Sequence, residues 1–147
     1  MQRYRATLAY DGTAYQGYQR QIAGLPTIQA AVEQALKRVT QADVTVLAAG
    51  RTDSGVHATG QVIAFDVDWR HTGSDLLRAL NAVLPGDIAL VDLTLAAPGF
   101  HPRFDAQARR YCYTVLQVAQ RRPLTRLYSW QIAGALDTDA MQSAADL

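Results

Sequence analysis

The sequence predicts an α+β domain of the ferredoxin-like, or split βαβ, type, an antiparallel sheet with both helices on one face. Three observations predict it. Residues Arg3 to Tyr10 alternate apolar and polar side chains; the stretches 28–39 and 74–83 repeat apolar residues at helical spacing; and the elements run strand, helix, strand, strand, helix, strand, the order of that unit.

In the first strand Tyr4, Ala6, Leu8 and Tyr10 face one side and Arg3, Arg5, Thr7 and Ala9 the other, and Asp11-Gly12 closes it. The loop from Thr13 to Pro26 carries Tyr15, Gln16, Tyr18, Gln19 and Arg20. Two readings stand for it: stacking and hydrogen-bonding groups for RNA, or a surface loop whose aromatics fold back on the core. Thr27 is placed to cap a helix with Ile28, Val32, Ala35, Leu36 and Val39 on one face. Val44 to Ala49 reads as the second strand and Gln61 to Val67 as the third. Ser74 is the expected cap of a second helix, with Leu76, Leu77, Leu80 and Val83 as its stripe and Pro85-Gly86 as its stop. Ile88 to Leu95 is the fourth strand, 97–105 an irregular link, Ala108 to Val118 a fifth strand, and Asp137 to Leu147 the start of a helix. The expected division is a catalytic-loop domain over 1–105 and, over 106–147, added strands and the start of a truncated second half.

Composition narrows the function classes. The chain has 147 residues, 49% of them apolar, enough for one ordinary core. A net charge of +1 points nowhere by itself, so distribution must carry the case. Residues 106–136 hold Arg109, Arg110, Arg121, Arg122 and Arg126 and no acid, either a phosphate-contacting stripe or a solvated face. One cysteine, Cys112, excludes an internal disulfide framework, and three scattered histidines give no metal-ligand spacing. No glycine-rich phosphate loop suggests a nucleotide cofactor, and no apolar run approaches the ~18 residues of a membrane helix. The expectation is a cytoplasmic chain without metal or cofactor.

The chemistry gathers in Gly50 to Gly60, G-R-T-D-S-G-V-H-A-T-G, at the end of a predicted strand. It offers a guanidinium, a hydroxyl and a carboxylate in Arg51, Thr52 and Asp53, and a nearby guanidinium favours an ionised carboxylate. Asp53 is therefore either an oriented nucleophile or base, or an Asx-turn residue bonding its own backbone. His57, between Val56 and Ala58, reads as a hydrogen-bonded structural histidine. A hydrolase elbow is excluded, because Thr52 and Val56 stand where G-x-S-x-G needs glycine.

Ala49 to Ala58 resembles the signature G-R-T-D-A-G-V-H of the TruA family of tRNA pseudouridine synthases, with Ser54 in place of the usual alanine. Three further blocks match in order: Tyr10 to Thr13 with Tyr15 to Gln21, Asn81 to Ile88, and Phe100 to Tyr113. Tyr18 replaces a more usual Trp or Phe, and Pro102 an alanine. The resemblance implies that Asp53 is the catalytic carboxylate, that Arg51 holds it by ion pairing, and that Tyr111 packs against the target base; Tyr113 is left as core. Gln19, Arg20, Arg109 and Arg110 are the expected substrate-binding residues. The implied substrate is uridine in the anticodon stem-loop of tRNA, with no cofactor, and the implied assembly a homodimer. Family members run to about twice a single-domain length, so an N-terminal portion with little activity alone is expected.

Overall fold

A computed structural model describes residues 1–22 and 24–146. The chain divides into two compact units, Met1–Gln107 and Ala108–Leu147. In the first, the elements are β1 (Gln2–Tyr10), α1 (Ile28–Thr40), β2 (Leu47–Ala48), β3 (Ala58–Val67), α2 (Gly73–Val83) and β4 (Ile88–Leu95). Among the described residues the strands form one sheet in the order β2-β3-β1-β4, every neighbour antiparallel. That is the ferredoxin-like arrangement the element order predicts.

The alternation of β1 decides which face is covered. Tyr4, Ala6, Leu8 and Tyr10 enter one core with Ile63, Phe65 and Val67 of β3, Ile88 and Leu90 of β4, Ile28, Val32 and Leu36 of α1, and Leu76 and Leu80 of α2. Both helices therefore pack on the same face, and each fully buried aliphatic or Phe side chain contributes roughly 1.5–3 kcal/mol. The opposite face carries Arg3, Arg5 and Thr7 opposite Asp66, Ala64 and Val62. There the Arg3 guanidinium binds Asp66 through both carboxylate oxygens, at 2.9 and 2.6 Å, and the Phe100 carbonyl at 3.0 Å.

Several boundaries differ from the sequence reading. β2 is shorter than 44–49 because helix side chains take the Val46 backbone: its N–H donates to Glu33 Oε1 at 3.1 Å and its carbonyl accepts from Gln29 Nε2 at 3.2 Å. β3 starts earlier, at Ala58. Thr27 caps α1 as expected, but Thr72, not Ser74, caps α2, through a capping box with Asp75. Tyr15 and Tyr18 are buried, so the core reading of these aromatics holds.

The second unit contains β5 (Val115–Gln117), β6 (Trp130–Ile132) and α3 (Thr138–Ala145). The expected long strand from Ala108 is confined to β5, which pairs in parallel with β6; residues 108–114 have no ladder partner among the described residues. Tyr113 is accordingly 91% exposed and not a core residue. α3 is capped by Asp137 and buries none of its residues; Leu147, expected in that helix, lies outside the described residues, as does Ala23 of the loop before α1.

Candidate active site

The loop from Gly50 to His57 lies against the loop from Asp11 to Gly17, backbone on backbone. The Tyr18 N–H donates to the Thr52 carbonyl at 2.9 Å, and the Tyr15 carbonyl accepts from Gly55 N–H at 3.3 Å and from Ser54 Oγ at 3.2 Å. Two glycines permit this approach. A β-carbon on Gly12 would stand 2.1 Å from the Val56 carbonyl oxygen, and one on Gly17, at φ +87°, 3.0 Å from the Thr52 oxygen.

The bed beneath is tied down in turn. Tyr15 Oη donates to Asp87 Oδ1 at 2.7 Å, and Tyr10 and Thr52 share a hydroxyl hydrogen bond of 2.8 Å. Burial raises the Tyr10 hydroxyl above its ordinary pKa, against the opposing effect of its bonds to Thr52 and Gln61. Tyr15 is raised by burial and then by Asp87, and Tyr18 by burial and then by Tyr10 and Glu33. The buried Tyr18 hydroxyl has no hydrogen-bond partner among the described residues. A register shift in the β1–β3 ladder between Leu8 and Tyr10 falls beside the site, where bulges re-aim side chains.

On this bed Arg51 and Asp53 stand exposed, lining a shallow groove with Gln16, Gln19 and Gln21. Among the described residues neither Arg51 nor Asp53 makes an ion pair or side-chain hydrogen bond. The expected Arg51–Asp53 ion pair is thus not formed. The Asx-turn alternative also finds no bond: the nearest turn bond, Val56 N–H to Asp53 at 3.2 Å, uses the Asp53 backbone carbonyl. What remains is a carboxylate with its lone pairs open, a cation in the same groove, and amides on the facing wall.

The other sequence-derived candidates separate. Gln19 shares the groove with Asp53, whereas Arg20 turns away to Glu33 at 2.8 Å. Tyr111, Arg109 and Arg110 belong to the second unit, where all three are exposed. Sequence reasoning missed the two glycines as close-approach positions and the pairing of His57 with the Asp11-Gly12 turn; the glycine spacing in D-G-T-A-Y-Q-G was the available signal. Among the described residues no group of three or more His, Cys, Asp or Glu is placed to hold a metal ion, and no helix is long and apolar enough to cross a membrane.

The family model described as tRNA pseudouridine synthase matches residues 6–105, which include the whole of this site. The chain is 47% identical over 145 residues to tRNA pseudouridine synthase A of Geobacter sulfurreducens, covering 99% of this chain and 59% of that protein. It is 42% identical over 146 residues to the proteins of that name from Neisseria gonorrhoeae (strain NCCP11945) and Thermotoga sp. (strain RQ2), covering 55% and 59% of them. The chain thus spans less than three-fifths of the length of these relatives. With the signature loop and the ferredoxin-like sheet both inside the matched range, the chain belongs to the tRNA pseudouridine synthase family.

Proposed function

We propose that this chain carries the catalytic carboxylate of a tRNA uridine isomerase, with Asp53 as the reacting group. The carrying observation is the placement of Asp53: exposed in a groove, unpaired, on a loop held by backbone contacts to a second loop. Held on a tied-down loop, that carboxylate is presented to the groove with its oxygens open to a ligand.

Isomerisation breaks the N1–C1′ bond of uridine, turns the base, forms C5–C1′, releases the C5 proton and protonates N1, with no net redox change. A single carboxylate suffices. Asp53 attacks C6 of the base or C1′ of the ribose, or removes the C2′ proton; each begins with an open carboxylate at the reacting nucleotide. Arg51, sharing the groove without a partner among the described residues, is positioned to meet a phosphate or the space left by a turned base. Uridine in an anticodon stem must leave its stack at a cost of a few kcal/mol, and an aromatic stacking on a base supplies roughly 1–3 kcal/mol; Tyr111, exposed in the second unit, is the proposed RNA-stacking residue. Gln19, Arg109 and Arg110 are further proposed RNA contacts, as is Arg20, which stays largely exposed while paired with Glu33 outside the groove. A cytoplasmic homodimer acting on tRNA is the assembly this reading adopts.

The open face of the sheet supports catalysis over simple RNA binding. Its strand positions carry no aromatic ring for base stacking among the described residues, and Arg3 and Thr7 are engaged with Asp66 and Asp92. The test compares Asp53→Asn with wild type, both at the length of the relatives. Unchanged tRNA affinity with pseudouridine no longer detectable by chemical mapping supports the reading; pseudouridine formation by the variant refutes it.

A further inference from the structure

His57 Nδ1 lies between two groups that require opposite things of it. The Gly12 backbone N–H donates to it at 3.1 Å, which needs a lone pair at Nδ1 and so a neutral ring protonated at Nε2. Asp11 Oδ1 lies 3.0 Å from the same atom, an attraction that requires a proton on Nδ1. One nitrogen cannot serve both at once. Asp11 and Gly12 form the turn after β1, and His57 is the last residue before β3, so the two bonds are alternative fastenings of one seam.

The seam reaches Asp53. Gly12 lies against the Val56 backbone, and Val56 N–H donates to the Asp53 carbonyl at 3.2 Å. Asp11 keeps its place in either state, because Oδ1 also accepts from Thr13 N–H at 2.9 Å and Thr13 Oγ1 at 2.6 Å. The other acid tied to this turn, Asp87 before β4, receives the Asp11 N–H on its carbonyl and the Tyr15 hydroxyl on its carboxylate. Arg51 and Asp53 are the charged groups on the loop of His57 itself.

We propose that His57 is a positioning residue whose protonation state selects the fastening: neutral, it accepts the Gly12 N–H and closes the seam; protonated, it donates to Asp11 and releases the Gly12 amide. The registry of the Asp53 loop thus follows the charge of the ring. The consequence for activity rests on the reading of Asp53 above; the fastening does not.

Nitrogen NMR of this chain over a pH series tests the fastening without turnover. The expected result is a neutral His57 with Nδ1 unprotonated, and a Gly12 amide resonance that moves through the same transition as the ring. In His57→Asn, whose side-chain oxygen takes the place of Nδ1 and carries no titrating proton, the Gly12 amide becomes independent of pH. A neutral ring protonated at Nδ1, or a Gly12 amide that ignores the ring, overturns the proposal in wild type alone. In the longer, active form, isomerisation that falls through the ring transition in wild type and stays level in His57→Asn supports the positioning role; the same fall in both overturns it. Absence of isomerisation at every pH would count against Asp53 and leave the fastening to the NMR result.

Discussion

A β-carbon on Gly12 would lie 2.1 Å from the carbonyl oxygen of Val56, a separation no packed pair of atoms sustains. The loop from Gly50 to His57 and the loop from Asp11 to Gly17 are therefore fitted at the level of backbone. Gly12→Ala must push them apart, with an expected loss of about 2 kcal/mol or more in stability and a larger fall in isomerisation. Gly55→Ala is the control: Gly55 is at φ +77° with nothing within 4 Å, so it costs only the left-handed penalty of about 1–2 kcal/mol. Denaturant unfolding of the two variants checks the difference; equal losses would show that the close approach is not the cause.

Tyr18→Phe is expected to be neutral or stabilising by about 1 kcal/mol, since it removes a buried hydroxyl with no partner among the described residues. The resemblance gave Trp or Phe as the usual residue there, and neither carries that hydroxyl. A loss of 1 kcal/mol or more in thermal unfolding would mean that the hydroxyl is satisfied.

Ser54→Ala restores the family's usual residue and deletes one bond, Ser54 Oγ to the Tyr15 carbonyl at 3.2 Å. That carbonyl keeps the Gly55 N–H at 3.3 Å, so the expected cost is about 0.5 kcal/mol, with isomerisation within about twofold of wild type. A tenfold fall in turnover would place the serine in the chemistry.

Alkali should unfold the first unit. Burial raises the Tyr10, Tyr15 and Tyr18 hydroxyls above the ordinary phenol value. Because the folded pKa lies above the unfolded one, their contribution is complete below about pH 10 and is lost as pH rises beyond it. Tyrosinate absorbance and far-UV circular dichroism, followed together, should show three of the seven tyrosines ionising only as structure is lost. Ionisation of all seven with the dichroism unchanged would contradict it.

The sheet and its helices were legible because their signals are local. The period of β1 exposes its buried face, Thr27 and the apolar stripe of α1 mark a helix, and Pro85-Gly86 marks its neighbour's end. The shortness of β2 was not, since it depends on Glu33 and Gln29 reaching the Val46 backbone from another element. Tyr15 and Tyr18 show the limit most clearly: their composition fits an RNA loop, and only the packing places them in the core. Asp53 was legible through its motif, but its unpaired state and the Arg20–Glu33 pair are tertiary facts. Residues 108–114 belong to the segment expected as a strand yet have no ladder partner among the described residues, and a strand is defined by its partner as much as by its composition.

Tritium release from tRNA carrying 5-tritiated uridine tests the central claim most directly, because forming the C5–C1′ bond must displace that label. Wild type at the length of the relatives is expected to release it, and Asp53→Asn, at equal tRNA occupancy, to release none above background. Release by the variant at more than a few per cent of the wild-type rate would contradict the assignment of Asp53 as the group on which the reaction turns.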